Sequence, residues 1–252
     1  GVIFKELGER EKAKSCFKKA IEILPNHADA HNNLGTVFEE MGEHEKAKSC
    51  YEKTIEINPN HADGYNNLAV ILKNSGEFQK ARNCCEKAIQ INPNHVAAHN
   101  NLGVVFKELG EHSKAIDCCK KAIQINPSNA GPHYNFGDAL KALGEHQKAK
   151  SCYEKVIEID PNHAAAYNNL GIVSKELGEH QKAKSCFEKA IQIKPNHADA
   201  HVNLGIILLL FSDFQKGFDE YEWRKKFSKR FYKARNIDSL EWQGEDLTNK
   251  TI

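Results

Sequence analysis

Eight cysteines and 13 histidines among 252 residues carry the most reactive chemistry in the chain, because thiolate and imidazole are the usual ligands of zinc. Three pairs, His27 with His31, His95 with His99 and His197 with His201, have the i, i+4 spacing that sets two imidazoles on one helical face, a geometry a metal can use. No carboxylate or thiolate recurs beside them as a third ligand. Cys16, Cys50, Cys84, Cys118, Cys152 and Cys186 follow one another at intervals of 34 residues, with Cys85 and Cys119 beside two of them. Equivalent sites on stacked helices lie roughly 8–10 Å apart, beyond the ~7 Å Cα separation that a disulfide spans. The expectation is therefore small, reduced packing residues, no metal and no other cofactor, in a reducing, cytoplasmic setting. Nor is there a glycine-rich phosphate loop, a nucleophile elbow or a His-Glu-x-x-His stretch. No catalytic residue is expected in this chain.

The interval that spaces the cysteines runs through the whole sequence. Pro25, Pro59, Pro93, Pro127, Pro161 and Pro195 stand 34 residues apart, the mark of a repeated supersecondary unit. Six residues after each proline comes His or Tyr, eight after it Asn, nine after it Leu or Phe136, and ten after it Gly or Ala69. A second glycine series, Gly42, Gly76, Gly110, Gly144 and Gly178, breaks at Ser212. Apolar spacing predicts two helices per unit, the first running roughly from Ala28 to Met41 and the second from Glu45 to Ile57, with Gly42 ending the first. Gly35 and Ala47 mark close approach, and Leu34, Phe38, Tyr51, Ile55 and Ile57 are spaced to fill the seam. One such hairpin cannot bury its apolar face, so neighbours must stack.

Composition agrees with a folded chain. Lys plus Arg total 35 against 34 for Asp plus Glu, a net charge of +1, so no global field draws in nucleic acid or an anionic membrane. The longest apolar stretch, Leu204 to Phe211, is far short of the ~20 residues of a membrane span.

A 34-residue helix-turn-helix unit with these residues at these offsets resembles the tetratricopeptide repeat family. The resemblance covers residues 1–231: a partial unit at 1–27, full units from 28, 62, 96, 130 and 164, and a degenerate unit at 198–231. Residues 232–252 read as a linker into a further domain, and the chain as a piece of a longer protein. Ser174, where an aromatic or Leu is usual, departs from the pattern. The resemblance implies an all-α, right-handed superhelical solenoid whose first helices line a concave groove that holds protein or peptide partners.

With Leu34 and Phe38 in the core, helical geometry turns Asn32, Asn33, Thr36, Glu39 and Glu40 to the groove or its rim. Asn33, Asn67, Asn101, Asn135, Asn169 and Asn203 then form a ladder. Each amide offers one acceptor and two donors, the set that pairs with both N–H and C=O of an extended backbone. The alternative is that the amides tie neighbouring repeats together. Beside them stand Asn32, Asn66, Asn100, Tyr134 and Asn168. A clamp for acidic chaperone tails needs Lys or Arg there, which excludes that kind of groove. Lys73, Lys107, Lys141 and Lys175 align farther along and could favour an acidic partner, but with Glu108 and Glu176 adjacent they read as a solvated face.

The asparagine ladder, with Asn-Asn-Leu-Gly at 32–35, 100–103 and 168–171, resembles the repeat half of protein O-linked N-acetylglucosamine transferases. The stretches Tyr221–Arg224 and Glu241–Gly244 resemble the junction at which bacterial repeats of this kind lead into a glycosyltransferase domain. The resemblance implies a substrate-recruiting arm; a free-standing adaptor in a multiprotein assembly is the alternative. Val202, Ile206, Leu209 and Leu210 place apolar side chains where other units carry polar ones. They are expected to be a docking face, covered by the segment from Phe227 to Trp242 and a C-terminal domain, with a second copy of the chain as the alternative.

Overall fold

The computed structural model describes residues 1–225. Their regular structure is entirely helical, and it repeats as antiparallel pairs. Helix α1 (Val2–Glu6) with α2 (Arg10–Ile23) makes a partial pair. Five full pairs follow: α3 (Ala28–Glu40) with α4 (His44–Ile57), α5 (Ala62–Asn74) with α6 (Phe78–Ile91), α7 (Val96–Glu108) with α8 (His112–Ile125), α9 (Ala130–Ala142) with α10 (His146–Ile159), and α11 (Ala164–Glu176) with α12 (His180–Ile193). Last come α13 (Ala198–Leu210) and α14 (Phe214–Tyr221), the latter 8 residues long where α12 has 14. The expected weakening of the final second helix is thus a shortening. Residues 232–252, read as a linker, lie outside the described residues.

Each first helix stops where the chain needs a left-handed residue. Gly42 has φ 76°, and the glycines at the same place in the other full units match it. At the last hairpin the turn survives without glycine, and Ser212 takes φ 62°, a conformation that costs a residue bearing Cβ roughly 1 kcal/mol.

The start of each first helix has an unusual cap. His27, His61, His95, His163 and His197 present Nδ1 to the backbone N–H of the third helical residue, as at Gly64, 2.9 Å from His61. They satisfy a donor that Ser, Asp or Asn usually serves. Asn129 caps α9 one residue earlier, its Oδ1 accepting from the N–H of Gly131 at 3.1 Å. Four members of the second histidine series, His31, His99, His133 and His201, pair Nε2 with the carbonyl of the proline six residues back. The i, i+4 pairs are therefore built into helix starts, and among the described residues no group of three potential ligands converges.

Packing within a pair depends on a small residue facing a large one. A Cβ on Gly35 would lie 2.6 Å from the fully buried Tyr51 ring, and one on Gly171 would lie 2.5 Å from Phe187. Where Cys85 replaces that ring, the glycine has become Ala69, and both are buried. The small thiol leaves the room that a methyl group fills.

Between pairs, every second helix packs on the next first helix. First helices also touch one another, α3 with α5, α5 with α7, α7 with α9 and α11 with α13, whereas consecutive second helices make no comparable contact among the described residues. The first helices therefore crowd on the inside of the curve. That is the face carrying the asparagines.

Candidate functional site

Along the inner face the two asparagines of adjoining units meet. Asn67 donates Nδ2–H to Asn32 Oδ1 at 3.0 Å, Asn101 to Asn66 at 2.9 Å, Asn135 to Asn100 at 2.8 Å and Asn203 to Asn168 at 3.0 Å. Partners are 35 residues apart in sequence, because the donor sits one position farther along its helix than the acceptor does on the preceding one. Asn33 would need an acceptor ahead of Gly1. The amides thus tie neighbouring repeats together, as one of the two sequence readings has it. One N–H joins the repeats, and the link fixes the plane of the amide, leaving its second N–H and its Oδ1. The oxygens of Asn67 and Asn169 accept long bonds from Asn66 and Asn168, at 3.3 and 3.4 Å. Those of Asn101, Asn135 and Asn203 have no partner among the described residues.

One joint is built differently. In the unit from 130, Tyr134 replaces the acceptor asparagine, and Asp138 stands where Val70, Val104, Ile172 and Ile206 stand elsewhere. Asn169 here donates to Tyr134 Oη at 3.0 Å and to Asp138 Oδ1 at 2.9 Å. Tyr153 Oη donates to the same carboxylate at 2.7 Å. Burial, reinforced by the Asp138 charge, pushes the Tyr153 hydroxyl far above its usual range, so it remains a donor. Burial also pushes Tyr134 up to about 12, and its ring stacks on His163 with centroids 5.1 Å apart.

Asp138 also corrects the reading of the lysine row. Lys107 and Lys141 each approach its carboxylate to 3.7 Å, and their side chains are only 27% and 28% exposed. They are counter-ions of a sheltered carboxylate, so they are not a freely solvated face. Lys175 pairs with the adjacent Glu176 at 3.2 Å. Lys73 has no ion pair among the described residues.

Two further links were missed by the sequence reading. His61 and His95, the caps of α5 and α7, turn Nε2 to Asp29 and Asp63 on the preceding first helices, α3 and α5, each at 3.0 Å, while Nδ1 caps the helix. The sequence signal is His recurring just ahead of the first helix and exchanging with Asn129, as a capping residue would.

The cysteines lie along the seams as unpaired thiols. Burial pushes Cys85 and Cys119 up to about 12, and Cys50, Cys84, Cys118, Cys152 and Cys186 up to about 11. At neutral pH they are thiols, which makes them poor nucleophiles.

At the far end, Ile206 is 40% and Leu210 57% exposed, and Phe211, Phe214 and Phe218 are exposed beside them. Leu209 does not belong to an open face: it packs on Gly217 of α14, where a Cβ would come within 2.8 Å of it. Glycine lets the short helix lie against it. Val202 is half-buried. The segment from Phe227 to Trp242, expected to cover this end, lies outside the described residues.

Sequence models of the tetratricopeptide repeat match residues 28–61, 62–95, 96–129 and 129–196, and a model described as TPR repeat matches residues 1–42. The chain belongs to the tetratricopeptide repeat family. Solved tetratricopeptide proteins agree. The crystal structure of YrrB, described as a TPR protein with an unusual peptide-binding site, is 27% identical and superposes with a TM-score of 0.56 over 73% of this chain and 95% of its own. MamA is 25% identical, with a TM-score of 0.57 over 66% of this chain and 97% of its own. PilF of Pseudomonas aeruginosa has the same fold at 22% identity, with a TM-score of 0.71 over 93% of this chain and 97% of its own. A comparison with curated proteins gives no match. No helix among the described residues is long and apolar enough to cross a membrane. Tetratricopeptide repeats serve as protein-interaction scaffolds, and the helical pairs here form such a scaffold.

Proposed function

We propose that the inner face holds an extended polypeptide whose backbone pairs with the asparagine ladder. The observation that carries this reading is the unpartnered Oδ1 of Asn101, Asn135 and Asn203, held in plane by the link each amide makes through Nδ2. An acceptor whose orientation is already fixed loses little freedom when a peptide N–H arrives. Val70, Val104 and Ile172 lie along the same inner row, half-buried, and offer apolar contacts to side chains. YrrB, which has a peptide-binding site, is a precedent for this use of the fold.

The finer reading is a substrate-recruiting arm of a glycosyltransferase, working in the cytoplasm. Its support is the Asn-Asn-Leu-Gly run and the stretches Tyr221–Arg224 and Glu241–Gly244. Translation of the gene past Ile252 tests it.

Peptide holding is tested with a peptide selected from a displayed random library on the intact chain. Changing Asn101 and Asn135 together to Ala removes two preset acceptors and should weaken binding roughly 5-fold to 150-fold, at about 0.5–1.5 kcal/mol per hydrogen bond. Unchanged affinity with an unchanged circular-dichroism melt would overturn the proposal. Because the variants also break links to Asn66 and Asn100, Asn66→Ala with Asn100→Ala serves as the control. It loosens the joints and keeps both acceptors, so its affinity should fall less.

A further inference from the structure

The second helices, which meet one another only sparsely, as where Lys182 reaches Glu154 at 2.7 Å, leave hollows on the outer side. One of about 520 Å³ lies between α8 and α10, floored by Ile123 and Phe136 and walled by Lys120, Ser151, Cys152 and Lys155. An equivalent hollow of about 420 Å³ recurs three units earlier, between Lys18 and Lys53 over Ile21 and Leu34. Both open widely to solvent.

Position by position, the larger hollow shares its lysine with the smaller one, where Lys18 is the equivalent of Lys120, and differs from it at Phe136 and Gln124. Lys120 stands where the units on either side have Glu86 and Glu154, and Phe136 stands where the other units have Leu. The remaining polar lining, Gln124 and His133, adds no acid, whereas the smaller hollow includes Glu22. Lys155 is paired with Glu158 at 2.7 Å on the exposed rim. Lys120 has no carboxylate partner among the described residues, and its ammonium stands 5.9 Å from the Phe136 ring centroid. The result is an apolar floor beside a cation with no counter-ion, rimmed by a second lysine and a hydroxyl.

From this we infer that the outer hollow over Phe136 is a second docking site, taking an apolar side chain with an adjacent carboxylate presented by a partner polypeptide. The apolar group covers Ile123 and Phe136, and the carboxylate accepts from Lys120, a charge-assisted contact partly sheltered from water. A polypeptide is the fitting occupant because the hollow cannot enclose most of a free small molecule, as small-ligand sites do. Charge selects against a basic neighbour.

The test uses the full chain with its isoleucine δ-methyl groups labelled for NMR, titrated with the capped peptide Gly-Ser-Phe-Asp-Gly-Ser and its Phe-Asn and Phe-Lys counterparts. The Ile123 methyl should shift with the Phe-Asp peptide, roughly 10-fold more weakly with Phe-Asn, and not with Phe-Lys. Lys120→Glu restores the residue that neighbouring units carry, so the variant should fold, and it should abolish the shift. Occupancy should also slow alkylation of Cys152 relative to Cys84. An unmoved Ile123, equal binding of Phe-Asp and Phe-Asn, or retained binding by Lys120→Glu would overturn the inference. So would a response confined to Ile172, whose methyl reports on the inner groove.

Discussion

The joint between the units from 130 and 164 does with one carboxylate what the other joints do with a pair of amides. At Asn66 and Asn101, two neutral groups share a single bond of 2.9 Å. At Asp138, one charged group accepts from Asn169 and Tyr153 and holds Lys107 and Lys141 close by. The amide joint is weak and repeatable, whereas the carboxylate joint concentrates several donors on one atom pair. Identical repeats are thus not energetically identical. The difference appears where two residues changed together, since Tyr134 gives up the amide oxygen and Asp138 replaces it.

The largest effect should come from removing the hub. Asp138→Ala leaves the Tyr153 hydroxyl and one Asn169 donor without their acceptor in a sheltered place and two lysines facing each other. The cost should be about 2–3 kcal/mol in urea unfolding, against about 0.5–1.5 kcal/mol for Asn66→Ala. Equal losses at the two joints would dissolve the distinction. A smaller, opposite change sharpens it. Tyr134→Asn with Asp138→Val rewrites the joint in the manner of its neighbours. It should unfold at a higher urea midpoint than Asp138→Ala, because Asn169 regains an amide acceptor and Val is the residue at 70 and 104.

The smallest effect separates the joints from the caps. Burial, aided by Lys194, holds the His197 imidazole below its ordinary value of 6.5, against the pull of Asp199. Its neutral form is the one that accepts from Ala200. The sign follows from the lowered folded value. The unfolded chain takes up the proton first, so the stabilisation is complete above about pH 7 and is lost as the pH falls through the folded value. His197→Asn keeps a capping acceptor without a titrating ring, as Asn129 does. Its melting temperature should fall less between pH 7 and 5, by a margin of about a degree or two. A parallel pH profile would remove the cap from the account.

The fold was legible because each unit repeats its signals. Proline, the second glycine and the Leu-Gly pair recur at one interval, and the helix bounds fall within a residue or so of the expected ones. The ladder was legible as a row, since Asn recurs at every step, but its partners were not. A contact between residues 35 positions apart exists only once two units are stacked and offset. Asp138 carried a visible sign, as the one charge in a row of Thr, Val and Ile. A single departure in one chain does not say what it compensates until Tyr134 is seen at Asn169. The capping role of the histidines was hidden for a related reason: side chains suited to metals were serving backbone N–H groups.

Every link in the ladder runs one way. The donor always belongs to the later unit and the acceptor to the earlier one, from Asn67 to Asn203. The inner face is therefore a track with a sense of direction. Its side-chain dipoles are stacked head to tail, so a strand laid along it N-to-C and the same strand laid C-to-N would not meet the same pattern. A repeat array that looks translationally uniform is in this respect vectorial, able to discriminate the heading of a chain as well as its composition.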